Sequence, residues 1–471
     1  MQRLPLLLAV VCSLILPTSA GDRTLHSFKK LHLDKYYWSE GAMFGDLNRD
    51  GRPDAVSGPY WWEGPEFSKR HEIYPPTMTF TLKKADGTEE KIPGFEGALG
   101  KKNAYSTDNF FSFIYDFNGD GWNDLLTYGL PGTPALLYFN PAGKDQPWAR
   151  HSVFDAVDNE SPTFADITGD GRPEILCNSG GTFGYASPNW KDVTAKWSFT
   201  SISGKGPWGN FNHGLGFGDV NGDGRFDILE RGAWWEQPKP GGSAIWTRHP
   251  VMFSPGGGAQ MFAYDVNGDG AQDVITSIAG HGYGLGWYEQ LREKDADGHP
   301  QFRGHVFMNK EASENRYGVM FSQLHAVELV DMDGDGLKDI ITGKCFWAHG
   351  PTGDPDPGAP AVLYWFQLVR GADGRIDWIP HLIDDDSGVG RQIGMADVNG
   401  DGHQDLIIGN KKGTFVFLHE TRKVSETEWL KAQPKVKFAD AGDKQLKAED
   451  VIQRTGAPRT ATRPPQASPV K

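Results

Sequence analysis

One nine-residue pattern constrains this chain more than any other feature: Asp-x-Asn-x-Asp-Gly-x-x-Asp. Its oxygen-bearing positions are Asp46, Asn48, Asp50 and Asp54 in the first copy, and Asp116, Asn118, Asp120 and Asp124 in the second. The third departs furthest, with Asp166, Thr168, Asp170 and Glu174. Asp219, Asn221, Asp223 and Asp227 form the fourth, and Asp265, Asn267, Asp269 and Asp273 the fifth. The sixth has Asp331, Asp333, Asp335 and Asp339; the seventh has Asp397, Asn399, Asp401 and Asp405. Ca²⁺ takes six to eight oxygens, and alternate residues of a tight loop can turn theirs inward. A glycine at the sixth position of every copy, such as Gly224 and Gly336, lets the chain bend sharply around an ion. One such loop could be a hairpin turn and nothing more. Seven copies with the same four positions predict up to seven structural Ca²⁺ ions, the ninth residue closing each cage as a bidentate ligand. These positions hold about a third of the 61 acidic residues, so without calcium they should repel one another.

The copies recur every 46 to 70 residues, the size of a four-stranded propeller blade with variable loops. Each unit repeats an order of parts. A small or apolar stretch (strand A) enters the loop, as in Leu215-Gly216-Phe217-Gly218, and a β-branched stretch (strand B) leaves it, as in Asp273-Val274-Ile275-Thr276. Strand C is aromatic, as in Trp61-Trp62, Trp234-Trp235 and Tyr364-Trp365-Phe366. Strand D often reads aromatic-x-x-His, as at His151, His249 and His381. The recurrence of these Trp and His residues predicts packing roles within the blades. The seventh unit lacks a strand D, but a D-like stretch at Phe28–Leu33 precedes the first loop. The predicted fold is therefore all-β: a seven-bladed β-propeller over residues 21–420, its last blade closed by the N-terminal strand. Insertions are expected at 75–104, 182–200 and 348–360, and a mostly disordered Thr/Ala/Pro-rich tail at 421–471.

The N-terminus has Arg3, an apolar run from Leu4 to Leu16, and small residues up to Ala20. This describes a secretory signal peptide over 1–20 and predicts a secreted or periplasmic protein. Cys177 and Cys345 fall in non-adjacent blades, which predicts two buried thiols. The net charge of −14 argues against a nucleic-acid partner. The chain shows neither a Gly-rich phosphate loop nor a nucleophile elbow.

Over roughly residues 25–420 the repeats resemble the FG-GAP/VCBS family, whose calcium loops join strands A and B on one face of a propeller. A narrower resemblance runs through His213-Gly-Leu-Gly-Phe-Gly-Asp219, Gly280-His-Gly-Tyr-Gly-Leu-Gly-Trp-Tyr-Glu-Gln290, Leu324-His325 and Gly343-Lys-Cys-Phe-Trp-Ala-His349. These stretches look like the propeller part of the aldos-2-ulose dehydratase family, whose cupin domains have no counterpart in this sequence. The resemblance implies at most a dehydratase or lyase half-reaction.

Loops on one face put the start of each strand A on the other. Six residues before each loop stand Glu40, Phe110, Glu160, His213, Ala259, His325 and Arg391. They should ring the mouth of the central channel. The B–C turns of units four to six add Glu230, Arg231, His281, Tyr283, Lys344, Trp347 and His349. His213, His281, Tyr283, His325, Lys344, His349 and Arg391 are the candidate catalytic set, suited to proton abstraction beside a carbonyl with Lys344 or Arg391 stabilising enolate charge. The four histidines could instead bind a transition metal. Three functions remain open: a propeller that binds carbohydrate or another extracellular ligand, a carbohydrate dehydratase or lyase, and a protein-interaction scaffold.

Overall fold

The computed structural model describes residues 23–106 and 108–441. The signal segment, most of the tail and Thr107 lie outside the described residues. The chain enters as β1 (Arg23–Asp34). The first four-stranded unit is β2 (Met43–Gly45), β3 (Asp54–Ser57), β4 (Tyr60–Trp62) and β5 (Arg70–Glu72). A separate hairpin follows, β6 (Thr79–Lys83) with β7 (Glu89–Pro93). The next unit is β8 (Phe111–Tyr115), β9 (Asp124–Tyr128), β10 (Thr133–Phe139) and the first part of β11 (Ala149–Ala165). The rest of β11 starts a third unit with β12 (Glu174–Ser179), β13 (Thr182–Ser187) and β14 (Ser198–Ser201). Then come β15 (Leu215–Gly218), β16 (Asp227–Glu230), β17 (Ala233–Glu236) and β18 (Thr247–Pro250). The fifth unit is β19 (Gln260–Tyr264), β20 (Asp273–Ser277), β21 (Leu285–Lys294) and β22 (Pro300–Met308). The sixth is β23 (Val327–Val330), β24 (Asp339–Gly343), β25 (Leu363–Arg370) and β26 (Ile376–Asp384). Last are β27 (Ile393–Ala396), β28 (Asp405–Asn410) and β29 (Gly413–Val424), which pairs antiparallel with β1 over almost its whole length.

This is an all-β propeller. Its innermost strands touch in sequence: β27 beside β2, β2 beside β8, β11 beside β15, β15 beside β19, and β19 beside β23. Glycine makes the approach possible. A Cβ on Gly216 would stand 1.8 Å from the Met261 carbonyl oxygen, and one on Gly390 would stand 2.0 Å from that of Glu40.

The aromatic strands are core. Trp61, Trp62, Trp234, Trp235, Trp287 and Trp365 are all buried. Four of them stack face to face on a strand-D histidine: Trp61 on His71, Trp234 on His249, Trp287 on His305 and Trp365 on His381. Cys177 and Cys345 are both buried thiols.

Two expectations need correction. Residues 182–200 are not an insertion, because β13 and β14 supply strands C and D of the third unit. The ordered chain also runs past 420: β29 continues to Val424, and the helix α1 (Glu426–Ala432) follows, capped by Ser425. Beyond it, Lys437 and Phe438 both donate backbone N–H bonds to the Arg316 carbonyl. Burial of Val424 and these backbone bonds hold a segment whose composition alone suggests disorder.

The inner-strand glycines give the first prediction. Gly216→Ala should destabilise the protein by about 1–3 kcal/mol through overpacking. A lowered urea midpoint would show this; an unchanged midpoint would mean the seam between β15 and β19 can open freely.

Candidate functional site

Each acidic loop joins strand A to strand B and is organised from its ends. In the fourth loop the Asp219 carboxylate accepts N–H bonds from Gly222, Asp223 and Gly224. The ninth residue, Asp227, is fully buried. One of its oxygens accepts from Val220 N–H at 2.9 Å and the other from Gln237 N–H, just past strand C, at 2.9 Å. The same two-ended arrangement holds Asp54, Asp124, Asp273, Asp339 and Asp405. The ninth carboxylate is therefore oriented by two backbone donors, not left free to take an ion with both oxygens, although each oxygen keeps a second lone pair. Burial pushes these carboxyls up, Asp227 to about 7 and Asp339 to about 8. In the sixth loop, oxygens of Asp331, Asp333 and Asp339 lie within 4.8 Å of one another. That is a donor set a hard cation fits, and a cation there would keep the buried carboxylate ionised. The third loop differs as its sequence does: Thr168 Oγ1 donates to Glu174 Oε1 at 3.3 Å.

The other ends of the inner strands carry a second cluster. Ligand atoms of Glu160, His213, His281 and His325 all lie within 4.8 Å of one another. His213 Nε2 is 3.1 Å from His281 Nε2 and 3.5 Å from Glu160 Oε2. His325 Nε2 is 3.2 Å from His281 Nδ1, and its Nδ1 is 3.7 Å from Glu160 Oε2. Three imidazoles and a carboxylate from four separate units match the donor type and number of a transition-metal site. Glu160 Oε2 is buried and makes no hydrogen bond, but it faces the Arg391 guanidinium, whose Nε lies 3.2 Å away.

The electrostatics follow from burial and crowding. Burial would push the Glu160 carboxyl up, but the facing His213 and Arg391 outweigh it and hold the group below the usual carboxylate range. Burial lowers His213 to about 4, against the pull of Glu160. Burial, Arg391 and the neighbouring imidazoles hold His325 well below an ordinary histidine. Both rings are thus neutral near pH 7, the form that ligates a metal.

Asp354 supports the cluster from the 348–360 loop. Its Oδ1 accepts from His349 Nδ1 at 2.9 Å and stands 3.5 Å from His281 Nδ1. Burial opposes its ionisation, but hydrogen bonds and charge from His281 and His349 hold it far below the usual range. A carboxylate behind a candidate ligand histidine fixes ring orientation and raises basicity. His349 stacks on His281 and is the exposed member of the set.

The remaining candidates are placed differently from expectation. Arg391 is buried, its Nε 3.2 Å from Glu160 Oε2 and its Nη1 donating to Cys345 Sγ at 2.8 Å. Lys344 is fully buried and donates to Ser322 Oγ at 3.3 Å. Neither reaches an open mouth, so neither is positioned to stabilise charge on a ligand there. Tyr283 is buried and donates to Asp356. Glu40 is sealed in a fully buried pair with Lys411, with Tyr37 donating to the same carboxylate at 2.7 Å. The axis is filled as well: Gln260 Nε2 donates to the Arg391 carbonyl and Gln392 bonds Ser112 twice. These bonds join the fifth unit to the seventh and the second to the seventh, so side chains reach across the space where a central channel is expected. Asp354 and Asp356 escaped the sequence reading because their loop belongs to no repeat.

Residues 116–177 match the FG-GAP-like repeat and residues 389–418 match the FG-GAP repeat. No curated protein matches the chain. Among solved structures it is similar to an Agrocybe aegerita lectin that recognises non-reducing terminal N-acetylglucosamine, at 16% identity over 84% of this chain and 97% of that one, TM-score 0.40. It is similar also to BBS1N crystallised with ARL6DN, at 9% identity over 84% and 96%, TM-score 0.43. A third is an auxiliary nutrient binding protein from Bacteroides ovatus, at 9% identity over 72% and 82%, TM-score 0.38. Likenesses at these scores say nothing of ligand or activity. No helix among the described residues is long and apolar enough to cross a membrane.

The buried Lys344 gives a pH prediction. Burial lowers its pKa from 10.5 to about 8. Between those values the unfolded chain holds a proton that the folded chain lacks, so this group's contribution to stability rises with pH across the window and is unfavourable below it. Lys344→Met should therefore raise stability at pH 7, by on the order of a few kcal/mol. Wild type and variant should converge as the pH approaches 10.5 in denaturant titrations. A variant less stable than wild type at pH 7 would mean the ammonium is favourably paired.

Proposed function

We propose that this chain is a secreted, calcium-stiffened, seven-bladed β-propeller whose axial cluster holds a divalent transition metal and acts there on carbohydrate by elimination. The carrying observation is the convergence of Glu160, His213, His281 and His325 within 4.8 Å. A metal bound there supplies a Lewis acid for a carbonyl or hydroxyl oxygen of the ligand. His213 and His325 hold neutral donor rings, and Glu160 supplies the anionic donor. His349 is the exposed base: it takes the proton from the carbon beside the sugar carbonyl, that electron pair forms the carbon–carbon double bond, the carbon–oxygen bond one position further breaks, and the leaving oxygen takes a proton back from the imidazolium or from water. Asp354, on the far side of the His349 ring, stabilises the imidazolium that results. Carbohydrate as the substrate class rests on the resemblance of the His213–Asp219, Gly280–Gln290 and Gly343–His349 stretches to the aldos-2-ulose dehydratase family.

Secretion rests on the Arg3–Ala20 pattern. Calcium rests on the seven loops and on the carboxylate convergence at Asp331, Asp333 and Asp339. A second reading is metal-dependent binding of a carbohydrate or an extracellular protein without turnover. The burial of Arg391 and Lys344 favours it, because it leaves His349 as the one open acid–base group of the predicted set.

Two measurements follow. Calcium-loaded protein, supplied in turn with zinc, manganese and magnesium, is incubated with keto-sugars, anhydro-sugars and uronate polysaccharides while ultraviolet absorbance is followed. An unsaturated product should form in a metal-dependent way and be lost in His213→Ala. Product that survives both chelation and that substitution would overturn the assignment, and metal-dependent binding without product would select the second reading. Separately, chelation should lower the melting temperature, and calcium should restore it where magnesium does not. A melting temperature indifferent to chelation would count against calcium in the loops.

A further inference from the structure

A different cluster lies at the opposite end of the fourth unit, next to its acidic loop. Glu236 ends strand β17, and the neighbouring Gln237 N–H bonds the loop's Asp227. His249 lies on β18 two residues beyond Thr247, the register partner of Glu236, and its Nε2 is 2.9 Å from Glu236 Oε2. This His–Glu pair belongs to a pattern. His71 pairs with Glu63 at 2.8 Å in the first unit, and His305 with Glu289 at 3.0 Å in the fifth.

In those two units a cation two residues before the histidine also meets the carboxylate: Lys69 at 2.6 Å from Glu63 and Arg303 at 3.4 Å from Glu289. In the sixth unit the carboxylate is replaced by neutral Gln367, and the position two before His381 is Ile379. The fourth unit keeps Glu236, yet the cation position holds Thr247. The neighbouring Arg248 is turned away, to Glu230. The place of the missing cation is taken by His299, from the β21–β22 hairpin of the next unit, whose ring centre lies 4.2 Å from that of His249.

We infer that Glu236, His249 and His299 form a divalent transition-metal site, of the zinc class, that ties the rims of the fourth and fifth units together. One ligand atom from each lies within 4.8 Å of the others, giving two imidazole nitrogens and one carboxylate oxygen on three separate elements. The site is built to stay in place. His249 is clamped by stacking on Trp234, with ring centres 4.1 Å apart. His299 has its Nδ1 3.4 Å from Asp295 Oδ2, so a carboxylate orients the ring while Nε2 remains for the metal. The site restores to Glu236 the positive partner that Lys69 and Arg303 supply elsewhere. It is also separate from the axial cluster, with which it shares no residue.

The test uses full-length, calcium-saturated protein carrying His213→Ala, so that the axial cluster is disabled and zinc uptake there is removed. Isothermal titration with zinc should still find one site. Adding His299→Ala should weaken zinc binding at that site by at least about tenfold. Cobalt in place of zinc should give a visible d–d absorption that the same substitution removes. Because His299 lies on a half-buried hairpin turn, the variant should melt with the parent when zinc is absent and lose only the zinc-dependent rise. Unchanged zinc affinity in His299→Ala, or no zinc uptake by the His213→Ala protein, would overturn the site. Either result would leave the axial assignment standing on its own assay.

Discussion

The pairing of β1 with β29 is the constraint on which the rest depends. It joins the first described residues to a strand nearly four hundred positions later, from Arg23 opposite Val424 to Asp34 opposite Thr414. With the ring closed, no blade is left as a terminal edge to be capped or to aggregate. Closure also fixes the radius. Only in a ring of fixed, small radius can Glu160 meet Arg391 at 3.2 Å and His213 meet His281 at 3.1 Å, when each comes from a different unit. The axial cluster is thus a product of closure and of the glycines that let backbones touch near the axis.

The two faces solve opposite electrostatic problems. On one face, every unit but the third buries an aspartate that two backbone N–H groups orient but do not neutralise, and burial then raises its pKa, as at Asp227. The seven acidic loops place that unresolved charge beside other oxygens, which is where calcium enters the proposal. On the other face, charge is resolved by pairing: Lys411 with Glu40, Arg391 with Glu160, Asp354 with two histidines. Breaking one partner of a buried pair costs far more than the pair contributes. That face should therefore be rigid, and rigidity is what a preorganised metal site needs.

Much of this was legible before the structure. The acidic loops could be read because a loop is local: its turns and donors lie within nine residues of sequence. The axial cluster was half legible. The position six residues before each loop places Glu160, His213, His325 and Arg391 at one level, since every strand A ends directly before its loop and a fixed offset from the loop marks one height. What the sequence could not show was pairing at long range. Arg391 and Lys344 look like mouth residues by position, yet Cys345, Glu160 and Ser322 bury them. Asp354 lies in a loop without a repeat to index it. Residues 182–200 read as an insertion because β13, Thr-Phe-Gly-Tyr-Ala-Ser, lacks the paired aromatics that mark strand C elsewhere. His299 was missed since its partners, Glu236 and His249, belong to another unit.

The proposed metal site depends on ring closure bringing Glu160, His213, His281 and His325 together from four units. Anomalous diffraction at the zinc edge, from crystals grown with zinc and calcium, tests it most directly. The expected result is an anomalous peak at coordination distance from Glu160, His213, His281 and His325. Direct His213–His281 and His281–His325 hydrogen bonds in a zinc-saturated crystal, with no peak among the four residues, would contradict it.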